Sequence, residues 1–259
     1  MFSNSRITQM VLSPALVLAL LTLAHGQGPS PREPRTLFSA MPGVVEPQVA
    51  ALGRRVTTPG KELTVFVGEF IDEAGNRLPA RIAHQLPGLV HVQGAKSGGG
   101  TVAFDGRQAY GLATRLDAAL IETFLSDLPE GMLSSVQRGA AMRLLGRGFK
   151  PNARVAPRYN GPRYDIYEVT GSVGSLTGAV VRMKLYYFDS KSGLLLSTRY
   201  NDATVKPAVR VETRFSEWRT VDGSAYPGRI QRYENGRLVF SFNFAAITPG
   251  PRVDIANFR

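Results

Sequence analysis

The stretch LVFSFNFAAI, Leu238 to Ile247, decides how the chain is read. Leu238, Phe240, Phe242 and Phe244 alternate with Val239, Ser241, Asn243 and Ala245. Successive side chains of a strand point to opposite faces, so one face here carries a leucine and three phenylalanines. Such a face is either packed core or the lining of an apolar cavity. The same period of two recurs upstream. GAVVRMKLYYFD sets Val181, Met183, Leu185 and Tyr187 on one face. VRVETRFSEWRT sets Val211, Thr213 and Phe215 opposite Arg210, Glu212 and Arg214. SKSG, VDG and ENG turn the chain between these runs. One apolar and one polar face per strand is what an antiparallel sheet with one solvated side requires.

The first half of the chain reads the same way. ELTVFVGEFIDEAGNRLPARIAHQL gives two strands around a turn at Glu73–Arg77. GLVHVQGAKSGGGTVAFDGRQAYGL gives two more, with Asp105-Gly106 as a hairpin signal. Turns that recur roughly every ten residues argue for an antiparallel meander over alternating βαβ units. Between the halves, Leu116, Leu120, Phe124 and Leu128 recur at i+4, the helical spacing. Pro129 then suits a first helical position, with Asp127 as a cap and Glu130 at capping-box spacing. Met132, Leu133, Val136, Ala140, Met142 and Leu145 extend the apolar stripe as far as Gly146. Two helices are therefore predicted, at about 116–126 and 129–145. They cover one face of the sheet, as fixed packing or as a movable cover.

The organisation follows. Arg6, the apolar run Met10–Ala24 and the small residues Ala24 and Gly26 have the order of a secretory signal peptide over residues 1–26. Residues 27–61 form a Pro- and Gly-rich linker with one short helix, within Val45–Val56 and started by Pro47. Residues 62–259 form one domain of the α+β class, mostly β, with its helical insert at about 116–145. The chain has no cysteine, so an exported protein of this kind is expected in a periplasm or secreted, without disulfides.

Composition narrows the function classes. Lys and Arg number 31 against 20 Asp and Glu, a net charge of +11. The arginines are dispersed, whereas nucleic-acid binding calls for a concentrated basic stripe. The excess suits solubility or attraction to anionic head groups and polymers. His84 and His91 stand seven apart with no third histidine outside the signal segment, so they are read as strand residues, half-exposed, and not as metal ligands. In GAKSGGG, Ala95 separates Gly94 from Lys96, which breaks the phosphate-loop spacing. In GSLTG, Leu176 holds the position a nucleophile elbow gives to serine. Asp117, Glu122, Asp127 and Glu130 are assigned to capping and solvation. No catalysis, cofactor or nucleic-acid partner is expected, and the chain is expected to be a monomer.

YYFDSKSGLLLSTRY and VETRFSEWRTVDGSAYPGRIQRYENGRLVFSFNFAAITPGPRVDIANF resemble the C-terminal half of exported bacterial proteins of the LolA/LolB-like outer-membrane lipoprotein-sorting group. VAFDGRQAYG is similar to a strand pair of the same group, and the resemblance spans roughly Glu62 to Phe258. It implies a strongly curved antiparallel sheet, or incomplete β-barrel, with helices covering the concave face. It also implies a carrier that holds acyl chains in that concavity. The resulting expectation is a non-catalytic periplasmic binding or carrier protein for an apolar or amphipathic ligand, of lipid or acyl type. Met183, Leu185, Leu196, Phe215, Phe240, Phe242 and Phe244 are the candidate lining, all on one side of the sheet. The alternative is a cell-envelope interaction module that binds a protein or an anionic polymer.

Overall fold

The computed structural model describes residues 46–53, 62–85, 88–95, 100–149, 161–175, 178–203 and 207–251. The signal segment and most of the linker lie outside them. The short helix of the linker is present as α1 (Glu46–Leu52).

The first meander runs through β1 (Glu62–Asp72), β2 (Arg77–Gln85), β3 (Leu89–Gln93), β4 (Thr101–Asp105) and β5 (Ala109–Tyr110). Its turns are closed by short acidic side chains, as local backbone chemistry favours. Asp72 Oδ1 accepts from the amides of Ala74 and Asn76, both at 2.9 Å. Asp105 Oδ1 accepts from those of Arg107 and Gln108, both at 3.0 Å. Next come α2 (Arg115–Glu122), a π-helical turn (Thr123–Asp127) and α3 (Pro129–Gln137). The second meander holds β6 (Ala141–Phe149), β7 (Tyr164–Ser175), β8 (Gly178–Asp189), β9 (Leu195–Asp202) and β10 (Val209–Ser216). A separate hairpin, β11 (Arg219–Val221) and β12 (Ser224–Tyr226), precedes β13 (Arg229–Glu234) and β14 (Arg237–Pro251).

Twelve strands form one sheet, in the order β5-β4-β3-β2-β1-β14-β13-β10-β9-β8-β7-β6. Every pairing is antiparallel, and among the described residues β5 pairs only with β4 and β6 only with β7, so the sheet is open. The last strand, β14, joins the two meanders by pairing with β1 on one side and β13 on the other. This topology places the helices. They connect β5, at one edge, to β6, at the opposite edge, so the chain between them must cross one face of the sheet.

The second helix is shorter than its apolar spacing predicts. It ends at Gln137, and Gly139 takes φ = +96°, a conformation suited to a glycine stop. Ala141–Leu145, predicted as the end of that helix, instead opens the edge strand β6 (Ala141–Phe149), with exposed and half-buried residues in strict alternation. Met142 and Leu144 touch the core from there, as does Ala140 just before the strand. The misreading has a physical origin: an apolar residue every second position also fits part of an i, i+3/i+4 pattern. α2 starts as expected, with a capping box between Thr114 and Asp117. α3 starts with Pro129 at its first position, but Leu128 is its N-cap, and Asp127 does not cap it. Gly131 lets α3 sit against the π-helical turn: a Cβ there would lie 2.6 Å from the Leu125 carbonyl oxygen.

Candidate functional site

The face crossed by the helices carries the phenylalanine row. Phe240, Phe242 and Phe244 are buried to within 2% of their accessible surface. Their rings meet those of Phe66 and Phe70 on β1 and Phe124 on the π-helical turn. Phe242 lies 5.6 Å from Phe124 and 5.2 Å from Phe70, and Phe244 lies 4.8 Å from Phe66, centroid to centroid. Phe215 is on the same face, since it pairs with Ile230, which pairs with Phe242. Leu120, Leu128, Met132 and Leu133 complete the apolar cover.

The seven residues predicted to share this face do not all do so. Register carries the inner face from Phe240 through Arg232, Thr213 and Thr198 to Tyr186. On β8 the inner residues are therefore Arg182, Lys184, Tyr186 and Phe188, and all four are buried. Met183 and Leu185 point the other way, and Met183 is 52% exposed. Leu196 is the extra residue at a bulge, where Ser197 pairs with Tyr187 and Leu195 with Phe188. It is half-buried, while Leu194 and Leu195 enter the core cluster. Met183, Leu185 and Tyr187 line a cleft of about 340 Å³ on the outer face, beside Arg199, Asn201 and Arg210.

Hydrophobic patterning overlooked a second layer of the inner face, a buried ionic cluster next to the phenylalanines. Lys184 Nζ donates to Asp127 Oδ1 at 2.6 Å and to Ser126 Oγ at 2.7 Å. Thr213 Oγ1 donates to Asp127 Oδ2 at 2.7 Å, and Arg232 Nη1 lies 3.5 Å from that oxygen. Arg232 reaches Glu122 at 3.3 Å, Glu234 at 3.2 Å and the Tyr200 hydroxyl at 3.1 Å. Arg182 bridges Glu122 and Asp202, the latter at 2.9 Å. Backbone carbonyls of the π-helical turn join in: Tyr186 donates to that of Ser126, and Thr198 to that of Asp127, each at 2.9 Å.

Burial acts on Lys184 and on two tyrosines of this cluster. Taking the Lys184 ammonium out of water pushes it down to about 8, while Asp127 pulls the other way. Burial also raises the Tyr186 and Tyr200 hydroxyls well above their ordinary range. Glu122 and Asp127, predicted to be solvated or capping, instead tie the helical cover to the sheet. Glu122 ends α2 and Asp127 ends the π-helical turn that follows it, so the two carboxylates flank that turn, which suits the tendency of such turns to mark functional positions. Asp117 does cap its helix as expected. His84 is buried and not half-exposed. Among the described residues no group of three acidic, His or Cys side chains is placed to hold a metal, and no helix is long and apolar enough to cross a membrane.

The fold is that of solved structures of the LolA superfamily. A LolA-superfamily protein from Nitrosomonas europaea matches with a TM-score of 0.54 and 11% identity, over 86% of this chain and 97% of that one. A domain provisionally described as an outer-membrane lipoprotein-sorting protein, from Vibrio parahaemolyticus, matches at 0.50 and 9% identity, over 87% and 96%. A DUF1329-family protein from Desulfovibrio piger matches at 0.51 and 12% identity, over 83% and 95%. No family model matches the sequence, and no curated protein matches it. The open antiparallel sheet with helices across one face is thus shared with these structures at the level of fold.

Proposed function

We propose that the protein is an exported, non-catalytic binding or carrier protein for an apolar or amphipathic ligand of lipid or acyl type. The observation that carries this reading is the helical crossover itself. It lies over an aromatic sheet face and is held there partly by apolar contact and partly by a localised polar cluster. A cover attached in this way can part from the sheet without dismantling the strand ladder. The space it would open is lined by Phe215, Phe240, Phe242 and Phe244, with Phe124 on the cover. The shared fold supports the reading, since one protein of that fold is described by its role in lipoprotein sorting. The expected location is the periplasm, and the expected state a monomer.

The test is a titration of the protein with a fluorescent fatty-acyl probe, together with native mass spectrometry of protein purified from the periplasm. Saturable binding at one site, or a co-purifying lipid, is expected. No saturable binding would leave the phenylalanine face as packed core and overturn the carrier reading. The second reading, a cell-envelope interaction module, draws on one observation. The exposed Met183 lines the outer cleft together with Arg199 and Arg210, which suits an anionic or amphipathic partner. A co-purifying envelope protein in the same experiment would favour it.

A further inference from the structure

The ionic cluster adjoins the phenylalanine row. Arg232 on β13 is the direct register partner of Phe240 on β14, and Ile230 that of Phe242. Moving the other way, Thr213 and Thr198 lead to β8, which carries Arg182 and Lys184. A single side of the sheet thus places three buried cations at one end of an aromatic track. This is the layout that an anion-headed amphiphile needs: a cationic pocket for the head and apolar surface for the chain.

In the structure those cations face carboxylates of the helical cover. Asp127 and Glu122 present their oxygens to Lys184, Arg182, Arg232 and the Thr213 hydroxyl. Among the described residues the sheet supplies two further carboxylates, Asp202 to Arg182 and Glu234 to Arg232. Among the described residues, Lys184 has no carboxylate within ion-pair distance other than Asp127. Parting the cover from the sheet would therefore separate Lys184 from Asp127, its ion-pair partner among the described residues, while Arg182 keeps Asp202 and Arg232 keeps Glu234. Water can solvate these cations while the site is open, but a bound acyl chain excludes that water again. A buried charge without a partner is strongly disfavoured, so a ligand that fills the site is favoured when it brings an anion.

We infer that Arg182, Lys184 and Arg232 form the head-group subsite for an anionic amphiphile, a phosphate or carboxylate on an acyl chain, and that Glu122 and Asp127 stand in for that head when the cover is closed. This rests on the reading of the phenylalanine face as the ligand site. Cover and ligand then compete for the same three cations. Anionic ligands are taken up by exchange of carboxylate partners, and neutral ligands of equal chain length gain nothing from the exchange. Arg232 shares Glu122 with Arg182 and Asp127 with Lys184, so neighbouring cations already converge in pairs on single anionic groups. Such pairs suit the several oxygens of a phosphate monoester, and charge-assisted bonds of this kind are the stronger class.

The experiment compares dodecyl phosphate, dodecanoate, neutral 1-dodecanoyl glycerol and inorganic phosphate as ligands of the full protein, below their aggregation concentrations. Dodecyl phosphate is expected to bind at least about tenfold more tightly than the neutral ester. Dodecanoate above the neutral ester extends the subsite to carboxylates; dodecanoate equal to it restricts the subsite to phosphate, and both agree with the inference. Inorganic phosphate binding as tightly as dodecyl phosphate would overturn it, because the site would then hold a free ion. Lys184→Gln should bring the phosphate-to-neutral preference close to one, and Glu122→Gln should raise that preference several-fold. A purely structural role would lower both affinities together in the two variants. If Lys184→Gln does not fold, Glu122→Gln decides: an unchanged preference overturns the inference. Equal binding of dodecyl phosphate and the neutral ester by the unaltered protein defeats the head-group subsite and leaves the carrier intact. Binding of neither defeats the carrier itself.

Discussion

Asp127 on the π-helical turn and Lys184 on β8 form an ion pair at 2.6 Å, with 0% and 1% of their side chains exposed. They are 57 residues apart in sequence, and together they fasten the helical cover to the sheet. Removing one member of such a pair leaves the other charged and unsolvated. Asp127→Ala is expected to destabilise the protein by about 3–5 kcal/mol. The double replacement Asp127→Leu with Lys184→Met removes both charges and should recover part of that loss. Urea unfolding of the three proteins checks this. A double variant as unstable as Asp127→Ala would show that the loss lies in the Thr213 and Arg232 contacts to Asp127.

Stability should depend on alkaline pH in a specific way. The folded-state value of Lys184 is lowered to about 8 from 10.5, because burial disfavours its charged form. Between these values the unfolded chain binds the proton that the folded protein has released. Stability from this group therefore rises with pH across that window. The buried tyrosines act in the opposite sense. Burial raises Tyr167 to about 12 from 10.0, and raises Tyr186 well above 10.0 too, so their contribution falls as pH climbs past 10.0. Unfolding free energies measured from pH 7 upward should rise above about 8 and turn over near 10. Lys184→Met should lose the rising limb and keep the descending one.

Phe242 touches rings on β1, β14 and the cover at once. Replacing it with alanine in this closed arrangement is expected to cost about 3–5 kcal/mol, from lost transfer energy and the void left behind. Denaturant titration of Phe242→Ala gives the value. A loss below about 1.5 kcal/mol would mean that the ring borders a space already open in solution.

The outer face of β10 should behave differently. Arg210 and Arg214 are exposed, and Glu212 lies between Arg199 and Arg214 at 2.8 and 2.9 Å. Arg210→Ala should change stability by less than about 0.5 kcal/mol, as surface sites do. Glu212→Ala separates two exposed ion pairs and should cost no more than about 1 kcal/mol, with the difference shrinking in high salt. A salt-independent loss of several kcal/mol for Glu212→Ala would argue for an additional structural role.

The sequence by itself determined the strand period, the turns and the inner and outer residues of β10. Val211, Thr213 and Phe215 against Arg210, Glu212 and Arg214 is a pattern with one physical solution, because only one of the two faces can lose water cheaply. It also pointed to the aromatic face of β14 and to helices between the two strand groups. It did not determine β8, where each face carries large apolar side chains. Patterning put Met183 and Leu185 inside and left Arg182 and Lys184 to water, since an isolated charge belongs there. The tertiary structure reversed that choice. The crossover from β5 to β6 brings Glu122 and Asp127 over β8, and their carboxylates make the burial of Arg182 and Lys184 tolerable. Those partners lie 60 and 57 residues away, beyond any local period. The end of the second helix was settled in the same way. Ala141–Phe149 became a strand because β7 offered it a ladder of hydrogen bonds, and local apolar spacing carries no information about that distant edge.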